Sequence, residues 1–252
     1  MLEVIFLSIV QGITEFLPIS SSAHLLLFSE YFNFSNGNLN LDISLHFGSL
    51  LAIIIYFKKD FYNFIENKII FFKIILSSIP VLFVGYLLIK FSLIDNLRDI
   101  KVIGWTTIIF GILLYFSDQV KANKTIKKNF SYNSIIYIGL LQTLSLIPGV
   151  SRSGITITGA RFLNFSRADS VKISFLFSIP ILIAVSFFNI FSLYQNDNFN
   201  LSIMNLIGVV MSFAFSYLTI KYFINFIKKF NLTVFVIYRV CLGSIILLFS
   251  YL

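Results

Sequence analysis

Two of the chain's apolar stretches are broken in the middle, and that constrains its fold more than any other feature. Region 1–34 is interrupted by Leu17-Pro18-Ile19-Ser20-Ser21-Ser22-Ala23-His24, and region 134–163 by Pro148-Gly149-Val150-Ser151-Arg152-Ser153-Gly154. Proline and clustered serines end a helix and free backbone groups that lipid cannot satisfy. At membrane depth such a break survives only where protein or a water-lined cavity takes up those groups.

A membrane is required by the rest of the sequence. Of 252 residues 58% are hydrophobic and 12% charged, against about 25% charged in a soluble domain. Mean hydropathy is +0.91, and 31 residues are Phe. No single water-exposed globule could cover that much apolar surface, so the chain reads as an all-α, polytopic membrane protein. A soluble enzyme, a disordered chain, a nucleic-acid binder and a secreted disulfide scaffold are excluded. Spanning helices need about 20 apolar residues, and about six runs approach this: 43–57, 69–91, 102–117, 171–194, 203–224 and 232–252. Cys241, within the last run, has no second cysteine to bond and is expected to pack. Met1-Leu2-Glu3 lacks the basic start of a signal peptide, so the first segment is expected to be kept as structure.

Nineteen Lys and Arg against eleven acids give a net charge of +8. The surplus sits in short loops, which reports topology and contact with anionic membrane lipids rather than nucleic acid. Loop 118–133 holds Lys121, Lys124, Lys127 and Lys128, and loop 161–172 holds Arg161, Arg167 and Lys172. Both are expected on the cytoplasmic side. The broken region between them, about 45 Å of helix, is short of two ~30 Å crossings, so it is expected to be a re-entrant hairpin. Segment 25–42 carries Glu30 and Asp42 but no base and should lie outside, as should loop 195–201. The first broken region would then dip in from the external side.

The prolines suggest a repeat. Pro18 and Pro148 follow Gln11 and Gln142 by six or seven residues, and Pro80 and Pro180 sit in the similar pentads Ser78-Ile79-Pro80-Val81-Leu82 and Ser178-Ile179-Pro180-Ile181-Leu182. The expectation is one membrane domain over 1–252, with halves 1–117 and 134–252 inserted in opposite orientations as an inverted-topology repeat.

The breaks also hold the chemistry. Gln11 and Glu15 share one helix face before the first break, and Ser20 and His24 share one after it. Ionisable groups at membrane depth usually mark a functional site. The second break supplies Arg152, whose planar fork matches phosphate oxygens, with Ser151, Ser153 and Thr156 around it. Each break restarts a helix, and fresh helix N-termini attract anions. Together these suggest a phosphate or diphosphate site. The alternatives are a serine N-cap with one interfacial glutamate, and a structural Glu15–Arg152 ion pair. His24 and His46 are the two histidines, too few for a protein-only metal site; His46 reads as a packed or capping residue. Arg239 is a buried charge without an obvious role beyond bracing the core.

Gln11 through His24 and Pro148 through Thr156 resemble the two signature motifs of the undecaprenyl-diphosphate phosphatase family, the bacitracin-resistance type. The similarity extends to His46-Phe47-Gly48-Ser49-Leu50-Leu51-Ala52 and Ile237-Tyr238-Arg239. It implies a bacterial inner-membrane enzyme that removes one phosphate from a polyprenyl diphosphate lipid and recycles the carrier for peptidoglycan synthesis. The site would open to the external, periplasmic side, and a divalent cation, Mg or Ca, would assist. By this resemblance Glu15, Ser21, His24 and Arg152 are catalytic. Gln11, Ser20, Ser22, Ser151, Ser153 and Thr156 would bind substrate, and Glu15 would share the metal with the diphosphate. Gln11 stands where the family admits Glu or Gln and removes one negative charge. Ser22 and Ala23 stand where Thr and Gly are common.

Ser21, His24 or water could each be the attacking group. A lipid-phosphate transporter or flippase would share the broken helices and the repeat. The phosphatidate type of lipid phosphatase needs a histidine at a fixed distance after Ser-Arg, and none follows Ser151-Arg152. Oligomeric state is open, a homodimer included.

Overall fold

The structure is a computed structural model that describes residues 1–31, 39–59, 68–93, 97–195 and 202–252. Its elements are α1 (Leu2–Thr14), α2 (Ser21–Tyr31), α3 (Leu39–Tyr56), α4 (Lys68–Lys90), α5 (Ile100–Asp118), the short α6 (Ile126–Asn129), α7 (Tyr132–Gln142), α8 (Arg152–Phe162), α9 (Arg167–Gln195), α10 (Ile203–Ile227) and α11 (Thr233–Tyr251). A 3-10 turn, Thr143–Leu146, continues α7 toward the second break. The fold is all-α; the one β feature among the described residues is an isolated bridge between Lys124 and Phe165.

Among the described residues five helices are long and apolar enough to cross a membrane: Lys68–Lys90, Ile100–Asp118, Arg167–Phe188, Ile203–Ile227 and Thr233–Tyr251. The sixth expected span, 43–57, is a shorter apolar helix among the described residues. It corresponds to α3, whose first turn carries Asn40 and Asp42, leaving Ile43–Tyr56, about 21 Å of apolar helix. The flanking α1, α2, α7 and α8 have 13, 11, 11 and 11 residues. Each is about 20 Å or less, well under the ~30 Å hydrocarbon core.

The two broken pairs have equivalent surroundings. Counting from each break, α1 to α5 correspond in order to α7 to α11. Equivalent elements pack crosswise: α1 on α10 and α7 on α4, with α5 on both α8 and α11. Pro18 and Pro148 fall in matching breaks. Pro80 and Pro180 do not match, because Pro80 lies in α4 and Pro180 in α9, the fourth element of one half and the third of the other.

An aromatic core positions the first break. Phe16 is fully buried and meets Phe175 of α9 edge to face, with ring centres 5.4 Å apart; Phe57 and Phe223 close on the same ring. Between α3 and α10 the contact is close and polar. Ser49 Oγ pairs with Ser212 Oγ at 3.1 Å and accepts from Ser216 Oγ at 3.0 Å. Small residues let membrane helices approach in this way, and hydroxyls bridge them. Cys241 is exposed on α11 rather than packed.

Candidate active site

The two breaks meet at one carboxylate. Glu15 follows α1 in helical conformation and is 8% exposed. Its Oε1 accepts from Arg152 Nη2 at 2.6 Å, and its Oε2 accepts from Ser21 Oγ at 2.9 Å and Gln11 Nε2 at 3.1 Å. Ser21 is the first residue of α2 and Arg152 the first of α8, so both helices begin beside Glu15. The first turn of a helix has N–H groups without intrahelical partners and the positive end of the dipole. Arg152 Nη1 is buried and has no hydrogen-bond partner. A buried donor beside two helix N-termini suits an incoming anion.

Backbone geometry builds these N-termini. Ser20 and Ser151 each precede a helix and both adopt positive φ, 74° and 71°, a region costly for any residue with a Cβ. Ser151 Oγ caps α8 by accepting from Gly154 N at 3.1 Å. Gly149, at φ 90°, makes the turn before it. A Cβ there would stand 2.6 Å from Ile103 O and 2.9 Å from Thr107 Oγ1, so α5 can approach the second break only because this residue is glycine.

The remaining hydroxyls expected at the site are mostly used within the breaks. Ser153 Oγ donates to Leu17 O at 2.8 Å, tying the second break to the first. Ser151 Oγ and Ser153 Oγ share a bond of 3.1 Å. Thr156 Oγ1 donates to Arg152 O at 2.8 Å and pairs with Ser174 Oγ at 2.7 Å. These three shape the loop instead of presenting free donors. Ser20 Oγ pairs with Ser22 Oγ at 3.3 Å, and Ser22 is exposed.

Three further residues belong to the site or its frame. His46, read from sequence as a packed or capping residue, has Nδ1 at 2.9 Å from Gln11 Nε2 and 3.9 Å from Glu15 Oε2. The Gln11 amide thus gives its two hydrogens to Glu15 and His46, leaving Gln11 Oε1 buried and unpartnered. Tyr238 O–H meets His24 Nε2 at 2.5 Å, and the rings lie near parallel, at 9°. His24 Nδ1 is 2.6 Å from Ser20 O. A carbonyl only accepts, so Nδ1 carries the proton and Nε2 accepts from Tyr238. Arg239, fully buried, donates to Thr107 O at 3.1 Å, Gly149 O at 2.8 Å and Val150 O at 3.1 Å, and reaches Pro18 O at 3.5 Å. It braces both breaks at once. A histidine in an apolar helix and a lone arginine in the last run were the visible signals; nothing in spacing linked Tyr238 to His24.

A cavity of about 690 Å³ begins at His24 and Tyr238 and continues between α2, α5 and α11, lined by Leu27, Leu242, Ile246 and Phe249 among others. Its walls are almost wholly apolar beyond those two rings.

A family profile described as "Bacitracin resistance protein BacA" matches residues 4–245. The undecaprenyl-diphosphatase of Pelagibacter ubique (strain HTCC1062) is 47% identical over 251 residues, covering 99% of this chain and 98% of that protein. The undecaprenyl-diphosphatase of Saccharophagus degradans is 40% identical, with 96% of each chain covered. That of Alteromonas mediterranea is 36% identical, covering 99% of this chain and 98% of its own.

Proposed function

Because the chain belongs to the bacitracin resistance protein BacA family, we propose that Glu15, Ser21 and Arg152, drawn from both broken segments, form the centre at which its reaction takes place. The chain is a membrane-embedded undecaprenyl-diphosphatase: it hydrolyses undecaprenyl diphosphate to undecaprenyl phosphate and inorganic phosphate. The observation that carries the assignment of residues is the Glu15 carboxylate, bridging Ser21 Oγ at 2.9 Å and Arg152 Nη2 at 2.6 Å. That is the geometry of a nucleophile hydrogen-bonded to its base, with a cation beside it.

In this reading the terminal phosphoryl group sits against the N-termini of α2 and α8, where Arg152 Nη1 is its donor. Ser21 Oγ attacks phosphorus as its proton passes to Glu15 Oε2. The bond to the bridging oxygen breaks, and undecaprenyl phosphate leaves with that oxygen and the proton. Glu15 then takes a proton from the water that cleaves the Ser21 phosphoester, and returns it to Ser21 Oγ as phosphate departs. His24 is a positioning residue: it ties the first turn of α2 through Ser20 O, and attack by its own Nε2 would require loss of the Tyr238 bond. The prenyl chain lies in the apolar cavity that starts at His24 and Tyr238.

A divalent cation, Mg or Ca, fits this donor set only together with the substrate. Glu15 and the unpartnered Gln11 Oε1 would hold it, and no group of three His, Cys or acidic side chains gathers among the described residues. Magnesium commonly takes one or two carboxylates plus substrate phosphates. Bound there, it would neutralise phosphoryl charge. The protein sits in the bacterial inner membrane with the site open to the external side, a reading supported by the lysines clustered after α5 and after α10.

Phosphate release from a C55 or C15 prenyl diphosphate by detergent-purified protein tests the assignment. Activity in the parent that disappears in Glu15→Gln and Arg152→Ala is expected. Full activity in either variant would overturn it.

A further inference from the structure

At the lysine-rich end of the molecule, away from Glu15, a recess of about 520 Å³ opens between the ends of four helices. It is lined by Asp118 at the end of α5, Arg161 in α8, Ser166, Arg167 and Ala168 at the start of α9, and Lys228 just after α10. We propose that this recess binds the phosphodiester headgroup of an anionic phospholipid.

The charge is unbalanced in favour of an anion. Among the lining residues Arg161, Arg167 and Lys228 face one acid, Asp118; Asp169, in the first turn of α9, is engaged by Ser166 Oγ at 3.0 Å. Asp118 accepts from Arg167 Nε at 2.6 Å and Nη2 at 3.0 Å, and from Leu232 N at 3.1 Å. Arg161 forms the floor. It is 3% exposed, donates Nη1 to Phe165 O at 2.6 Å and Nη2 to Asp118 O and Val120 O, and keeps a buried Nε without a hydrogen-bond partner. Arg161 Nε lies 3.7 Å from Asp118 Oδ1, so this one carboxylate faces two guanidinium groups, Arg161 and Arg167, and positive potential remains in the recess. Arg167 lines the wall with its side chain 38% exposed, and Lys228 is exposed at the rim.

The start of α9 adds donors. Ser166 Oγ caps that helix by accepting from Asp169 N at 3.1 Å, while the first-turn N–H groups at Arg167 and Ala168 belong to a 29-residue helix with its positive dipole end at the recess. Depth selects the lipid over a free anion. The spans α5, α9 and α10 all begin or end here, which is the level of lipid headgroups. Basic pockets between membrane helices recognise anionic lipids at that level. The structural role of the Asp118–Arg167 pair, stitching α5 to α9 and α11, does not account for Lys228 or for the open volume.

The test uses delipidated protein in detergent, titrated with dioctanoyl-phosphatidylglycerol, dioctanoyl-phosphatidylcholine and inorganic phosphate, with bound lipid counted by native mass spectrometry. Lys228→Gln removes a rim charge without touching the Asp118 network, so it folds as the parent does and keeps its phosphatase turnover. One phosphatidylglycerol should bind more tightly than phosphatidylcholine, and Lys228→Gln should weaken it about fivefold, the effect of one surface lysine. Arg167→Gln should lose the site. Equal binding of the two lipids, or unchanged phosphatidylglycerol binding in Lys228→Gln, would overturn the proposal. So would inorganic phosphate binding as tightly as phosphatidylglycerol, which would make the recess a free-phosphate site.

Discussion

Ser20 and Ser151 hold the same unusual backbone conformation, φ 74° and φ 71°, one at the entry to α2 and the other at the entry to α8. The residue after each, Ser21 and Arg152, reaches an oxygen of Glu15. Positive φ at a residue with a Cβ costs about 1–3 kcal/mol and persists only where surrounding structure enforces it. Both breaks carry this strain at the same point, and both place the first side chain of a new helix on one carboxylate. The strained serines therefore aim the chemistry; they do not perform it.

Glycine at Ser20 should be accepted, since it reaches this φ freely and the Ser20 hydroxyl pairs with the exposed Ser22 Oγ at a long 3.3 Å. Ser20→Gly should stay folded and active. Ser20→Val should be less stable than the parent, because a β-branched residue tolerates positive φ less well than serine. Thermal unfolding of both variants beside the parent checks this; a Val variant as stable as the parent would show the strain to be absent.

Removing the bridge should remove the rate. Glu15→Gln keeps the shape but loses the base, and a fall in kcat of roughly 10²–10⁴-fold is expected. Arg152→Lys offers a point charge where a planar fork serves Glu15 and the phosphate together, and should lose about 10²–10³-fold. The double variant should fall little further than the worse single one, as residues acting as a unit are not additive. Turnover of a prenyl diphosphate by the three proteins gives the answer, and additive losses would mean that the two residues act separately.

Ser21→Ala separates the attacking groups. If Ser21 attacks, the variant should be inactive and no phosphate should be trapped on the protein at acid quench. Tyr238→Phe releases His24 Nε2 without removing His24, and should keep activity within about tenfold, the scale of one lost hydrogen bond of roughly 1 kcal/mol. A fully active Ser21→Ala would transfer the attack to His24 or water.

Much of this was legible in the sequence because the breaks are local. Pro18 and Pro148 had to end helices, and the restart at Arg152 follows from the Ser151 cap. Gln11 and Glu15 share a face by spacing alone. What failed were relations between distant helices. Pro80 and Pro180 have similar neighbours in sequence, yet lie in elements that are not equivalent. His46 looked like packing because nothing local showed that α3 would pass beside Gln11. The bonds that Ser151, Ser153 and Thr156 make within the breaks depend on which buried backbone groups need partners there, and spacing does not show that.

Arg239 meets that demand for both breaks, and its replacement is the most discriminating test of how the site is held. Four carbonyls converge on one guanidinium: Thr107 O from α5, Gly149 O and Val150 O from the second break, and Pro18 O from the first. Arg239→Met would leave those carbonyls buried without a donor, at about 1–3 kcal/mol each for any that cannot relax, offset in part because a buried charge is also removed. Arg239→Lys restores a charge and three donors on one nitrogen, but a single point cannot serve carbonyls spread over three segments. Both variants should lose kcat by more than tenfold while KM changes little, since the prenyl cavity is built from other side chains of α11. Measurements belong at a temperature where melting curves show both variants folded. Under that condition a normal kcat in Arg239→Met would show that the breaks hold their register without the clamp, and the packing of Phe16 on Phe175 would then be what fixes Glu15 opposite Arg152.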